Sequence, residues 1–423
     1  MKNYSKIKSV KAREILDSRG NPTVEIDLIT DLGLFRSSVP SGASKGRYEA
    51  IELRDGGRRY QGEGVLKAVR NINNIIGPKI KGKNPLNQKE LDNLMIKMDG
   101  TGNKSKLGVN AICPLSMAIC RAGAAARDIP LYRYILELLS QSDIKKRRFS
   151  LGFPKASFNI INGGAHAGND LDFQEFMIVP QTNRFSLNLQ IAAEIYHQLK
   201  NVIKKRYSDL ATNIGDEGGF APPIRFPEEA LNLIFEAAEN IRYDKKIKII
   251  LDVASSQFYI SGKYKTKIGV FTSKGLFNYY LKLIKNYPFI GIEDPFAQDD
   301  WKGWQLFNSR ISGSKFLLIG DDLIATNPER IKKAKERYAC NAAIIKINQI
   351  GTVSETIEAV RTAKSYGWKI VVSHRSGETN DDFIADLAVG LSADFIKTGA
   401  PARGERVAKY NRLLEIEEQI KNE

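Results

Sequence analysis

The C-terminal two thirds of this chain carry a repeated pattern. Short apolar runs end on a polar or ionisable side chain, and a stretch of helical periodicity follows each of them. The clearest ends are KIIL-Asp252, FIGI-Glu293, LLIG-Asp321, AAII-Lys346, IVVS-His374 and DFI-Lys397. Successive ends lie 23 to 41 residues apart, room for one strand and one crossover helix each time, which predicts a parallel sheet. Two earlier runs, SFNIIN and EFMIVP, bring the strand number to eight. Eight strands with reactive side chains at their C-terminal ends predict a closed α/β barrel of the TIM type. An open doubly wound sheet would want a glycine-rich fingerprint at its first turn, and no GxGxxG follows any of these strands.

The first third reads differently. KIKSVKAREIL, TVEIDLIT and LFRSSV alternate as strands around turn signals at residues 18–22 and 31–33, which predicts a three-stranded antiparallel meander. VLKAVRNINNII, KELDNLMIKM and NAICPLSMAICRAGAAA have helical spacing. A smaller α+β domain over residues 1–139 is therefore expected to cap a catalytic barrel over residues 140–423, with the boundary in the polar, charge-dense SQSDIKKRRFS. Pro114, inside a helical pattern, predicts a kink or a helix start near it.

Composition acts as a filter. A chain of 423 residues, 42% hydrophobic and 26% charged, can bury a large core. No apolar run approaches the roughly 18–20 residues that span a bilayer, and the first residues carry charges where a signal peptide needs its apolar centre. A cytoplasmic protein is expected, with a secondary cell-surface or secreted pool left open. Cys113, Cys120 and Cys340 have neither disulfide nor ligand spacing and read as buried thiols. The net charge of +16 raises nucleic acid or an acidic membrane as partners. The Lys and Arg are spread along the chain, however, with only short clusters such as residues 145–148, and no RNP-type aromatic motif accompanies them. A solvated basic surface is expected, with no membrane partner and no nucleic acid required for function.

Asp252, Glu293 and Asp321 end three consecutive strands and should converge at one mouth. Any one of them reads equally as a helix N-cap, but three close carboxylates repel unless a cation sits among them. Oxygen ligands with no His or Cys nearby suit Mg²⁺. The next ends, Lys346, His374-Arg375 and Lys397, make the other half of the mouth basic, which suits an anionic substrate bridged to metal. Glu175 and the pair Asp216-Glu217 lie in the glycine-rich segments NGGAHAGNDLDFQEFMIVP and NIGDEGGFAPP, where glycine lets backbone approach a ligand. Of the three histidines, His166 and His374 fall in these regions, whereas His197 lies in a helical run and reads as structural.

GNPTVEIDL, VPSGAS, NGGAHAGN with QEFMI, GDEGGFAP, GIEDPF, GDDL with TNP, IKINQIGT, SHRSGET, IKTGAP and ERVAKYN occur in this order from about residue 5 to 420. This ordered set resembles the enolase family, in its bacterial type, over essentially the whole chain. The resemblance implies a magnesium-dependent lyase that interconverts 2-phosphoglycerate and phosphoenolpyruvate. It implies that Asp252, Glu293 and Asp321 hold one Mg²⁺, and that a second Mg²⁺ binds with substrate at Ser44. Lys346 is then the base at C2, its pKa lowered by the cations and Lys397. Glu217 is the acid at the C3 hydroxyl, with Glu175 and Gln174 beside it. Arg375 and Ser376 match the phosphate-binding pair; His166, residues 41–46, His374 and Lys397 match loops and contacts around substrate. The family also implies a homodimer or an octamer of dimers.

Lys45 stands where the family usually has Thr, and Gln257 where it commonly has Glu; the first should disturb the closing loop, the second should matter little. Gly100-Thr101-Gly102-Asn103-Lys104-Ser105 lacks the spacing and preceding strand of a phosphate loop. Two other readings stay open: a barrel enzyme of the same superfamily acting on another carboxylate, and a catalytically weakened scaffold binding RNA or protein.

Overall fold

The computed structural model describes residues 5–43, 46–141, 150–311 and 313–422. Strands β1 (Ile7–Leu16), β2 (Pro22–Thr30) and β3 (Gly33–Ser38) form an antiparallel meander in sequence order. Its first turn is closed by Asp17, whose Oδ1 accepts the N–H groups of Arg19 and Asn21 at 2.8 and 2.9 Å, an Asx arrangement that also uses Gly20 at φ 75°. Three longer helices follow: Gln88–Asp99, Val109–Arg127 and Leu131–Ser140. Pro114 sits in the sixth position of the second of these, which begins at Val109 rather than at the proline. By length and apolar composition Val109–Arg127 is also the one helix among the described residues that could cross a membrane, against the expectation of no such run. It is 83% buried inside the molecule, so its apolar character serves the core.

The barrel closes in the order β4 (Lys155–Asn162), β5 (Glu175–Pro180), β6 (Ile247–Asp252), β10 (Phe289–Glu293), β11 (Leu317–Gly320), β12 (Ala342–Ile345), β13 (Lys369–Ser373) and β14 (Phe395–Lys397). Between β6 and β10 a small antiparallel sheet is inserted, made of β7 (Tyr259–Ile260), β8 (Lys263–Thr266) and β9 (Gly269–Phe271). Eight strands close as expected, but they are not all parallel: β5 runs antiparallel to both neighbours. The β4–β5 connection is residues 163–174, with only the short turn of helix Gly164–His166 in it. A connection with no crossover helix brings the chain straight back down. Two successive helices, Phe185–Arg206 and Pro227–Asn240, then go up and return to the same end, so β6 starts where β5 stops.

Inward positions recur every second residue along a strand. Met177, Ile250, Ile319, Ile344 and Val371 form an apolar plug inside the barrel. Two residues further toward the mouth on the same strands stand Glu175, Asp252, Asp321, Lys346 and Ser373. Glu175 obeys the rule only because β5 is reversed. The domain boundary expected at 140 adjoins residues 142–149, which lie outside the described residues. Across the domain contact, Arg121 donates to Asp381 and Asp382 at 2.9 and 3.0 Å, while a bond to Ser37 Oγ at 2.6 Å ties it to β3 on its own side.

Candidate active site

Asp252 and Glu293 end β6 and β10, and Asp321 is the first residue beyond β11. Lys346 follows β12, His374, Arg375 and Ser376 follow β13, and Lys397 ends β14. Glu175 opens β5 with Gln174 just before it, His166 lies in the β4–β5 connection, and Glu217 in the connection between two helices. All of these except Glu293 line one cavity at the barrel mouth, and Glu293 joins it through Lys397. Ser44 and Lys45 lie outside the described residues.

Lys397 Nζ donates to Asp252 Oδ2 at 3.0 Å, to both Glu293 oxygens at 2.9 and 3.0 Å, and to Glu175 Oε1 at 3.4 Å. Lys346 Nζ pairs with Asp321 Oδ2. Burial works against both ammonium groups, but Asp252, Glu175 and Glu293 hold Lys397 well above its usual value, and Asp321 outweighs burial, Arg375 and Lys397 to raise Lys346. Lys397 does act to lower Lys346, as expected of it, but the neighbouring Asp321 anion outweighs it. Four buried carboxylates, Glu175, Asp252, Glu293 and Asp321, face two ammonium groups. That excess of negative charge, presented by oxygen atoms alone, fits a hard divalent cation. Burial and the neighbouring Asp252 push Glu293 well up, as unbalanced carboxylates require.

A second carboxylate pair lies beyond β5. His166 Nδ1 is 3.7 Å from Glu175 Oε1 and 3.4 Å from Glu217 Oε1. Burial and the Glu217 charge hold Glu175 well above the usual carboxyl range. Glu217 stays well below it: burial opposes its charge, but His374, His166 and Arg406 offset that, and Asn159 Nδ2 donates to it at 2.9 Å. Of the two, Glu175 is the carboxyl that takes up a proton more readily. Burial pushes His374 down to about 3. Its Nδ1 takes an N–H from Arg406 at 2.7 Å, so the neutral ring carries its hydrogen on Nε2, 3.2 Å from Glu217 Oε2. Gly399, at φ 84°, packs so closely that a Cβ there would come within 2.8 Å of the Glu217 carbonyl oxygen and 3.1 Å of His374 Cε1; only glycine fits.

Several residues here escaped the sequence reading. Asp294 accepts the N–H groups of Asp321 and Asp322, both at 2.8 Å, and fixes the turn carrying Asp321; its signal was the second acid of GIEDPF. Arg406 is fully buried and donates to His374, to the Arg375 carbonyl at 2.7 Å and to the Ser376 carbonyl at 2.5 Å. A charge on a polar helix gives no sign of that. Glu49 pairs with Arg375 at 2.8 Å and looked like any surface acid. Gln257 was expected to be peripheral, yet its Nε2 donates to Gln174 Oε1 at 2.5 Å. Ser376 Oγ accepts the Ala43 N–H at 2.6 Å, which holds Ala43 against the segment that follows β13.

A closed barrel that buries paired carboxylates and lysines at one mouth is the frame of an enzyme with a divalent-cation site. Known families agree. The family model described as "Enolase, C-terminal TIM barrel domain" matches residues 150–423, and "Enolase, N-terminal domain" matches residues 7–135. The chain is 51% identical to "Enolase 1" of Entamoeba histolytica, covering 98% of this chain and 97% of that protein. It is 53% identical to "Enolase" of Mastigamoeba balamuthi, covering 98% and 96%. The chain belongs to the enolase family. Both relatives come from amoebae, and the bacterial-type expectation gains no support from them.

Proposed function

We propose that the barrel mouth catalyses the reversible dehydration of 2-phosphoglycerate to phosphoenolpyruvate, the lyase reaction of this family. A proton next to a carboxylate is a very weak acid, so the base must act where the resulting negative charge is met by positive charge. Lys346 removes the C2 proton after its Nζ leaves Asp321. Glu217 and Glu175 form the proton store for the departing C3 hydroxyl, with Gln174 holding the same side. Asp252, Glu293 and Asp321 would hold one Mg²⁺ and Ser44 a second that would arrive with substrate, and the ions would supply positive charge to offset the charge that develops on the carboxylate. Arg375 and Ser376 take the phosphate, and His166, His374 and Lys397 complete the contacts, while residues 41–46 exclude water.

The observation that carries this reading is topological. In a ring of eight strands, β12 with Lys346 is four places from β5 with Glu175, so base and acid approach a substrate from opposite sides, as an anti elimination needs. We further propose a cytoplasmic homodimer, or an octamer of such dimers, with residues 1–139 capping the barrel of 140–423. The test is formation of phosphoenolpyruvate from 2-phosphoglycerate, followed by ultraviolet absorbance with and without Mg²⁺, in the wild type, Lys346→Ala and Glu217→Gln. Magnesium-dependent turnover lost in both variants supports the roles; turnover retained in either removes that residue from its role.

A further inference from the structure

Arg375, the phosphate fork of the reading above, already grips an anion of the chain's own. Its Nη1 donates to Glu49 Oε2 at 2.8 Å and to Asn348 Oδ1 at 2.9 Å, and its Nη2 donates to Glu49 Oε1 at 3.3 Å. Two parallel prongs on one anion is the arrangement a guanidinium offers to carboxylate and phosphate alike. Both partners are buried, Arg375 at 4% and Glu49 at 8% exposure. Burial works against the Arg375 charge, and Glu49 is the foremost group that sustains it.

Glu49 is also tied to two other parts of the mouth. Its Oε1 accepts the Gly46 N–H at 2.9 Å, which pins the backbone at Gly46. Gln349 donates to Glu49 Oε1 at 3.4 Å and to Asp321 Oδ1 at 2.9 Å, while Thr326 Oγ1 holds its carbonyl at 2.6 Å. One carboxylate thus joins the phosphate fork, the Gly46 backbone and, through Gln349, the Asp321–Lys346 pair.

We propose that Glu49 is an internal counter-anion of Arg375 that competes with the substrate's phosphate for the fork, and so sets phosphate affinity. The proposal rests on Arg375 being the phosphate ligand. A phosphate dianion outbids a single carboxylate for the guanidinium, whereas a monovalent anion does not, so the carboxylate also screens the fork against weaker anions. When phosphate takes the fork, Glu49 loses its main partner, and the Gly46 N–H and Gln349 that share Oε1 are free to rearrange with it.

The test uses inorganic phosphate as a competitive inhibitor of 2-phosphoglycerate turnover by the full-length protein at fixed Mg²⁺. Glu49→Gln preserves the shape and an acceptor for Gly46 but removes the charge, and should lower the phosphate Ki by about tenfold, the scale of one charge-assisted hydrogen bond. Glu49→Asp withdraws the carboxylate from the fork and should lower it by about threefold. Phosphate should also raise the melting temperature of Glu49→Gln more than that of the wild type, a response a purely structural residue would not produce. An unchanged or raised Ki in a folded Glu49→Gln overturns the proposal; if that variant does not fold, an unchanged or raised Ki in Glu49→Asp does so. Arg375→Ala separates the two layers. An unchanged phosphate Ki there sinks the phosphate role of Arg375, whereas a raised Ki there beside an unchanged one in Glu49→Gln sinks the role of Glu49 alone.

Discussion

The two ends of the barrel use the same strands for opposite purposes. Deep in the barrel, Met177, Ile250, Ile319, Ile344 and Val371 interdigitate with no polar atom among their side chains. One pleat further along stand Glu175, Asp252, Asp321 and Lys346, all ionisable and all nearly as buried. The plug gains free energy from every contact it makes. The mouth is held by ion pairs whose desolvation cost is large and whose geometry must be maintained by neighbours such as Asp294 and Arg406. What separates a stabilising layer from a reactive one is a two-residue step along the strand.

That comparison can be broken by exchanging costs between the layers. The largest effect is expected at the mouth: Lys346→Ala should lower kcat by about 10³- to 10⁴-fold, near the upper end for loss of a general base. Its melting temperature should stay close to that of the wild type, because Asp321 keeps the Gln349 hydrogen bond at 2.9 Å when the pair with Lys346 is lost. In the plug, Ile344→Ala should do the reverse. Chemical denaturation should show about 2–5 kcal/mol lost, with kcat of the folded protein reduced far less than in Lys346→Ala. A plug variant that abolished turnover without destabilising the fold would erase the distinction.

A smaller effect lies outside both layers, in the contact between the domains. Arg121 holds Asp381 below its usual value although burial pushes the other way. A carboxyl whose folded pKa is depressed stabilises fully above its unfolded value of roughly 4 and loses that contribution as pH falls through the lower folded value. Arg121→Met should therefore lower the melting temperature at neutral pH, and the gap to the wild type should narrow as pH falls from about 5 to 3. A gap that widened toward acid would contradict this sign.

Much of the fold was written in the sequence because strand ends in a barrel have a local signature, an apolar run that stops at a charge. The direction of β5 was not legible: EFMIVP looks like any other barrel strand, and only the missing crossover helix in residues 163–174 hints that it runs backwards. Glu175 reads both as the start of that run and as part of a glycine-rich segment, and it opens the strand. Candidate residues next to glycine-rich turns stood out. Those acting through partners distant in sequence did not, since Glu49 meets Arg375 and Arg406 meets His374 only after the chain has folded. The two domains differ in the same way: the meander follows from adjacent turns, but the Arg121–Asp381 contact joins residues far apart.

The claim at the centre of this account is that Lys346 and the Glu217–Glu175 pair perform separate proton transfers from opposite sides of the mouth. Exchange of the C2 hydrogen of 2-phosphoglycerate with deuterated solvent tests it directly, by measuring the first transfer whether or not the hydroxyl leaves. The account predicts that Glu217→Gln still exchanges this hydrogen while forming little phosphoenolpyruvate, and that Lys346→Ala does neither. Exchange that persists in Lys346→Ala, with the protein folded and Mg²⁺ present, would contradict it.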